Sequence, residues 1–68
     1  MAIEVEINGE KRAVRDDATI AALLTELGVA AERTAVERNG RIVRRGEHGT
    51  TRVAPGDRIE IVTLVGGG

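Results

Sequence analysis

The chain has 68 residues with no cysteine, no Phe, Tyr or Trp, and a formal net charge of −1 at pH 7. This composition excludes disulfides and thiolate metal sites, and it argues against nucleic acid as the main partner, because the chain has no basic excess to contact phosphates and no aromatic rings to stack on bases. With no apolar run near the roughly 18 residues of a membrane span and no charged-then-apolar leader, one small cytoplasmic domain is expected.

The first strands predicted form a hairpin. Apolar and polar residues alternate from Ala2 to Ile7, which is typical of a strand with one buried face. Asn8-Gly9 follows, a strong signal for a two-residue turn because both residues tolerate positive φ. Glu10 to Arg15 should then return antiparallel, with Val14 toward the core. The basic residues expected to face Glu4 and Glu6 across the ladder are Lys11, Arg12 and Arg15.

A short helix is predicted next. Thr19 is a suitable N-cap, and Gly28 suits the left-handed position that ends a helix, with Val29 making the accompanying hydrophobic contact. Because a helix of two to three turns is not stable alone, it must pack on the sheet. The apolar stripe available for this packing consists of Ile20, Leu23, Leu24 and Leu27.

A second hairpin follows the helix. Thr34 to Arg38 predicts a weaker strand, Asn39-Gly40 repeats the turn signal, and Arg41 to Arg45 should return. The segment 46–49 is expected to be a loop or a single helical turn. Thr50 to Val53 should be a short extended piece whose valine lies inside the domain.

The last stretch predicts a turn and a strand. Pro55-Gly56 suits a turn, because Pro presets its second position and Gly is free at the third. Arg58 to Val65 is the longest apolar run, with Ile59 and Ile61 expected in the core. A strand apolar on both faces is either central in its sheet or offers its outer face to a partner. The outer-face residues, a candidate partner-docking patch, are Glu60, Val62 and Leu64.

The order hairpin, helix, hairpin, strand predicts one architecture. Two hairpins bury one short helix only if they join edge to edge, and the last strand is the natural bridge, parallel to the first strand. The predicted fold is therefore α+β: a β-grasp, ubiquitin-like domain in which a mixed four- to five-stranded sheet packs on one short α-helix. We expect this domain over residues 1–65 and a flexible glycine tail over residues 66–68.

The chain resembles the ThiS family of sulfur carriers in thiamine biosynthesis, within the ThiS/MoaD group of ubiquitin-like proteins. The order of the matching pieces, the short length and the terminal glycines make the resemblance specific. Family members often carry Pro near Arg44 and an aromatic residue near His48, and this chain departs from both. The matching pieces are the opening strand ending in Asn8-Gly9, Thr19 to Leu24, Asn39 to Val43, Pro55 to Ile61, and Val65 to Gly68.

The resemblance implies the chemistry. A ThiF-like adenylyltransferase would join the Gly68 carboxylate to AMP, sulfur would replace the AMP, and a ThiG-like thiazole synthase would consume the resulting thiocarboxylate. ATP and the sulfur donor belong to the partner enzymes, so this chain would bind no cofactor and would act as a carrier, not as an enzyme. We also expect no bound metal and a monomer when the chain is free. Glycine suits a tail that threads a narrow active site, because it adds no side-chain volume. The tail residues are Gly66, Gly67 and Gly68.

Other functions share parts of this pattern. The small subunit of molybdopterin synthase and a carrier serving cysteine biosynthesis would use the same tail chemistry with another acceptor. A ubiquitin-like modifier would join Gly68 to lysines of other proteins. A plain binding module would carry an inert tail.

The remaining polar residues favour structural roles. His48 lacks a partner nucleophile and is expected on the surface. Arg44-Arg45 and Lys11-Arg12 are interpreted as a solvated face rather than a phosphate site. Asp16-Asp17 and Asp57 are interpreted as cap and turn residues, because they show no ligand spacing.

Overall fold

The computed structural model describes residues 1–64. Single 3-10 turns lie at Ala31–Arg33 and Arg45–Glu47, so the strand predicted to reach Arg45 ends at Val43 and a helical turn follows. The regular elements are β1 (Ala2–Ile7), β2 (Glu10–Arg15), α1 (Ile20–Leu27), β3 (Thr34–Arg38), β4 (Arg41–Val43) and β5 (Arg58–Thr63).

The sheet has five strands in the order β2-β1-β5-β3-β4. Strand β5 is parallel to β1 and antiparallel to β3, so it joins the two hairpins at the centre of the sheet. The predicted β-grasp arrangement of one mixed sheet and one helix is therefore confirmed. None of the helices described between residues 1 and 64 is long and apolar enough to cross a membrane.

Both Asn-Gly turns adopt the positive φ angles that the sequence predicts. Asn8 and Gly9 have φ of 50° and 84°, and Asn39 and Gly40 have φ of 53° and 82°. These angles fit the type I′ turn, whose twist matches that of the flanking strands. A two-residue turn also fixes the register, so Ile7 lies opposite Glu10 and each earlier residue of β1 opposite a later one of β2.

That register corrects one prediction about the first hairpin. Lys11 lies opposite Glu6, as expected, but Arg12 lies opposite Val5 and therefore on the side of the sheet that carries the helix. Glu6 forms its ion pair with Arg58 of β5, with 3.8 Å between Nε and Oε2. Arg15 contacts Asp17 instead of a glutamate, at 3.3 Å. Like other exposed ion pairs, these contacts contribute little stability.

The ends of α1 are capped by the predicted residues. The Thr19 hydroxyl accepts a hydrogen bond from the Ala22 N–H at 3.1 Å. At the other end, Gly28 has φ of 74°, and the Val29 N–H donates to the Leu24 carbonyl at 3.1 Å, which is the Schellman ending. The two caps provide hydrogen-bond partners for terminal backbone N–H and C=O groups that a short helix would otherwise leave unpaired.

The core lies between α1 and the sheet. Ile20 and Ile59 are fully buried, and Val53 is anchored inside as predicted. Ile61 is only partly buried and packs at the border of the core, so the prediction for Ile61 holds in part. The buried apolar residues are Val5, Ile7, Val14, Ala18, Ile20, Leu23, Leu24, Val36, Val43, Val53 and Ile59.

Candidate functional site

The outer face of β5 exposes apolar side chains. Val62 is 59% exposed and Leu64 is 53% exposed, and Glu60 on the same face is also exposed. Because a strand alternates its faces, these residues point away from the helix while Ile59 and Ile61 point toward it. The structure therefore places the three residues of the candidate docking patch on one accessible surface.

The structure adds Ile42 to this surface. Ile42 of β4 is 74% exposed and lies opposite Glu37, which in turn lies opposite Glu60 of β5. Residues directly opposite in a ladder share a face. The patch therefore extends across three strands. Alternation around the buried Val43 was the signal that could have found Ile42 from the sequence.

The start of β5 is fixed by the buried carboxylate of Asp57. Its Oδ2 accepts from Arg38 Nε at 2.7 Å and from the Ala54 N–H at 2.7 Å, and its Oδ1 accepts from Asn39 Nδ2 at 3.0 Å. The Asp57 carbonyl also accepts from the Glu6 N–H at 2.9 Å. Asp57 is thus a turn residue, as predicted, but it also joins β1, β3 and β5.

The environment of Asp57 changes its acidity. Burial would raise the pKa of the Asp57 carboxyl, but hydrogen bonds from Arg38, Asn39 and the Ala54 N–H, together with the positive charge of Arg38, lower the pKa below its ordinary value. The side chain of Asp57 is 7% exposed and that of Arg38 is 35% exposed. The pair therefore acts as an anchor of the strand rather than as a surface ion pair.

The two turn asparagines both contact β5 through their side chains. Asn39 Oδ1 accepts from the Arg58 N–H at 2.9 Å, near the start of the strand. Asn8 Oδ1 accepts from the Ile61 N–H at 2.8 Å, and Asn8 Nδ2 donates to the Ile61 carbonyl at 3.1 Å. Each asparagine therefore fills a left-handed turn position and also holds one end of β5. Sequence reasoning assigned them only the first of these roles.

His48 is buried, so the prediction that it decorates the surface is wrong. The residue is 4% exposed, and its Nε2 lies 3.1 Å from the Val43 carbonyl. The His48 carbonyl accepts from the Ala21 N–H at 2.8 Å in the first turn of α1. The loop folds over the helix terminus because its carbonyls pair with the free N–H groups there. His48 is therefore a structural residue.

The charged residues near the patch provide no metal site. Within residues 1–64, no group of three or more His, Asp or Glu side chains could hold a metal ion. The residues predicted for the reacting tail, Gly66, Gly67 and Gly68, lie outside the described residues. What the described part provides is an anchored strand with an exposed apolar face.

The sequence model of the ThiS family matches residues 1–68, the whole of the chain. The chain belongs to the ThiS family. Its fold agrees with that of a solved member, the crystal structure of the thiamine biosynthesis protein ThiS from Geobacter metallireducens. That structure is 33% identical with a TM-score of 0.83, and the match covers 97% of this chain and 100% of the Geobacter chain.

Two relatives of this ThiS-family chain are named thiazole synthase. The protein from Paramagnetospirillum magneticum is 44% identical over 66 residues, and the match covers 97% of this chain and 20% of the relative. The protein from Magnetococcus marinus is 39% identical over 66 residues, with the same coverage of 97% and 20%. The chain thus spans about a fifth of the length of these two relatives.

Truncating His48 tests its structural role in this ThiS-family chain. We expect His48→Ala to lower the free energy of unfolding by about 2–3 kcal/mol, because it removes a buried ring and the contact of its Nε2 with the Val43 carbonyl. His48→Phe keeps an aromatic ring at this position and leaves no cavity, so its loss should be smaller. Urea denaturation measures the free energy of unfolding of both variants. The control is Arg45→Ala at an exposed neighbouring position, which should change this free energy by no more than about 0.5 kcal/mol. Equal stability of the His48→Ala and Arg45→Ala proteins would contradict the assignment.

Proposed function

We propose that this chain is the sulfur carrier for thiazole formation in thiamine biosynthesis. A ThiF-like adenylyltransferase binds the domain and activates the carboxylate of Gly68. The carboxylate oxygen attacks the α-phosphate of ATP and pyrophosphate leaves, giving an acyl adenylate. Hydrosulfide from the sulfur donor then attacks the acyl carbon and AMP leaves, giving a thiocarboxylate and a proton. Thiazole synthase takes the sulfur from this thiocarboxylate.

The observation that carries the proposal is the family match, which extends through the terminal glycines to residue 68. A carboxylate is ionised at neutral pH and is a poor electrophile, so it needs adenylation before it can accept sulfur. Three glycines suit delivery of this group into an enclosed site because they bring no side-chain volume. The carrier supplies the reacting carboxylate but no general acid or base, and it acts as a substrate of its partners.

The two relatives named thiazole synthase support the choice of acceptor. Each contains a region similar to nearly all of this chain within a polypeptide about five times as long. A carrier domain that shares a polypeptide with a thiazole synthase is held close to that activity at high effective concentration. We therefore propose thiazole synthase, rather than molybdopterin synthase or a cysteine-forming enzyme, as the consumer of the thiocarboxylate.

Carrier-dependent release of pyrophosphate tests the activation step. The chain is incubated with the cognate adenylyltransferase and ATP, and pyrophosphate is measured with and without the chain. We expect release that requires both the chain and ATP. If this adenylyltransferase activates another ThiS-family carrier but releases no pyrophosphate with this chain, the proposal is wrong.

The exposed patch is proposed to dock on the adenylyltransferase, and Val62→Asp tests this. A carboxylate placed unpaired in an apolar interface is costly, so we expect the KM for the chain to rise by at least about tenfold with little change in kcat. Ala13→Asp is the matched control, because Ala13 is also exposed on the outer face but lies on β2, two strands away. An equal KM for the two variants would place docking elsewhere.

A further inference from the structure

We infer that Asn8 is a positioning residue for the reacting tail. Its side chain completes the sheet beside the last residues of β5 and so fixes the strand end from which the chain continues to Gly68. The inference rests on the proposed function, because it concerns delivery of the Gly68 carboxylate to the activating enzyme.

The geometry begins with the short pairing between β1 and β5. Among residues 1–64, the parallel ladder consists of two residue pairs, Glu6 with Arg58 and Ile7 with Ile59. The Asn8 N–H donates to the Ile59 carbonyl at 2.9 Å, and the backbone then turns away at positive φ. For the described part of β5 beyond Ile59, the backbone of β1 therefore supplies no pairing partner.

The Asn8 side chain continues the ladder where the β1 backbone stops. Its Oδ1 accepts from the Ile61 N–H at 2.8 Å and its Nδ2 donates to the Ile61 carbonyl at 3.1 Å. A side-chain amide has one acceptor and one donor group side by side, as a peptide unit does. The Asn8 side chain thus bonds the backbone N–H and C=O of Ile61 where a longer β1 would place its next backbone groups.

The backbone groups of Ile61 point toward β1, so β3 on the other side of β5 cannot pair with them. Bonds from Asn39 N–H to the Arg58 carbonyl at 2.8 Å and from Leu64 N–H to the Arg33 carbonyl at 2.6 Å show which residues turn toward β3. In an antiparallel pair these alternate with residues whose N–H and C=O point the other way. The backbone N–H and C=O groups of Ile59, Ile61 and Thr63 therefore point toward β1. Thr63 lines an open cleft beside Asn8. Within residues 1–64, Asn8 supplies the last pairing on this edge before the tail.

Pairing on both edges orders the strand end before a partner binds. Groups that are already ordered lose less conformational entropy on association, so preorganisation strengthens binding. The Asn8 bonds are exposed to solvent, and exposed hydrogen bonds add little net stability. Loss of the Asn8 side chain should therefore weaken recognition of the tail while the domain stays folded.

Asn39 provides a matched control within the same chain. It occupies the same position in an Asn-Gly turn, with φ of 53° against 50° for Asn8. Its side chain also makes two bonds to the final strand region, to the Arg58 N–H at 2.9 Å and to Asp57 Oδ1 at 3.0 Å. These bonds hold the start of β5 rather than the end that leads to the tail.

The test compares Asn8→Gly with Asn39→Gly in adenylation by the cognate adenylyltransferase. Glycine keeps the positive φ in both turns, so each variant loses its side-chain bonds and gains the same backbone freedom in the unfolded chain. We expect Asn8→Gly to raise the KM for the chain about five- to tenfold, with kcat within about twofold. Asn39→Gly should leave both constants within about twofold once the unfolded fraction is subtracted. An unchanged KM for Asn8→Gly, or an equal rise for Asn39→Gly, would overturn the inference.

Amide hydrogen exchange gives a readout that does not depend on the enzyme. In Asn8→Gly the Ile61 amide should exchange at least about tenfold faster, while the Leu23 amide, bonded to the Thr19 carbonyl, keeps its rate. Equal protection of Ile61 in both proteins would show that Asn8 does not order the strand end. If the unsubstituted chain releases no pyrophosphate, the proposed function and the role in tail delivery both fail, and faster Ile61 exchange then confirms the ordering alone.

Discussion

Removal of Gly67 and Gly68 is expected to abolish adenylation of the chain. Two extended residues span about 7 Å, and a reacting pair must approach within about 3–3.5 Å in a defined orientation. A shortened tail therefore holds its carboxylate too far from the α-phosphate of ATP while the domain docks normally. We expect the rate of pyrophosphate release to fall by at least about a thousandfold.

The same truncation should leave the domain folded. The core extends from Val5 to Ile59, and the strand pairing of β5 ends at Thr63. The free energy of unfolding should therefore change by less than about 0.5 kcal/mol. Gly67→Ala is the control that keeps the length and adds one methyl group, and it should cause a smaller loss of rate. Activation of the truncated chain within tenfold of the full chain, or unfolding on truncation, would contradict this account of the tail.

Asp57→Asn is expected to cause the largest loss of stability among the proposed substitutions. The neutral amide does not compensate the positive charge of Arg38. The carboxylate of Asp57 accepts hydrogen bonds from Arg38 Nε, Asn39 Nδ2 and the Ala54 N–H, so the NH₂ group of the amide would place a donor against at least one of these donors. Breaking one side of a buried, hydrogen-bonded ion pair costs about 2–4 kcal/mol at neutral pH. Small domains have only about 5–15 kcal/mol of total stability, so a large part of it would be lost.

The pH dependence gives this prediction a second readout. Because the folded-state pKa of Asp57 is lowered, the unfolded chain binds its proton more readily, so the carboxylate stabilises the fold above its unfolded pKa. That contribution is lost as the pH falls below about 4 through the folded-state pKa. Asp57→Asn should therefore lose less stability than the parent chain between about pH 6 and pH 3, roughly from above to below the unfolded-state pKa of an aspartate.

Urea denaturation at both pH values measures the Asp57 effect. Asp16→Asn is the control, because Asp16 pairs with the amino terminus at 3.7 Å with its side chain 52% exposed, and exposed pairs contribute little. A loss at neutral pH no larger for Asp57→Asn than for Asp16→Asn would show that the Asp57 network does not hold the strand.

The fold could be predicted because its signals are local. Alternation in β1, the Asn-Gly turns and the Thr19 and Gly28 caps each depend on a few neighbouring residues. The register of the first hairpin was also available, since counting back from the two-residue turn places Arg12 opposite Val5. Charge complementarity alone does not determine which residues share a face, and for Arg12 it gives the wrong partner.

The missed features depend on tertiary contacts. His48 stands alone in a glycine-flanked loop, and only the placement of that loop over α1 buries it. Asn8 was already explained by its turn, and its pairing with Ile61 exists only because β5 lies parallel to β1. For the docking patch, the sequence predicted the exposed face of β5 but not Ile42. Ile42 lies on the same face of the sheet because β3 pairs with both β4 and β5.

Intact mass spectrometry detects the proposed thiocarboxylate itself. The chain is incubated with the cognate adenylyltransferase, ATP and a sulfur donor, and its mass is then measured and the modified residue located by fragmentation. We expect replacement of one oxygen by sulfur at Gly68. Isopeptide-linked adducts on other proteins, sulfur at another residue, or an unchanged mass in the presence of demonstrably active adenylyltransferase and sulfur donor would contradict it.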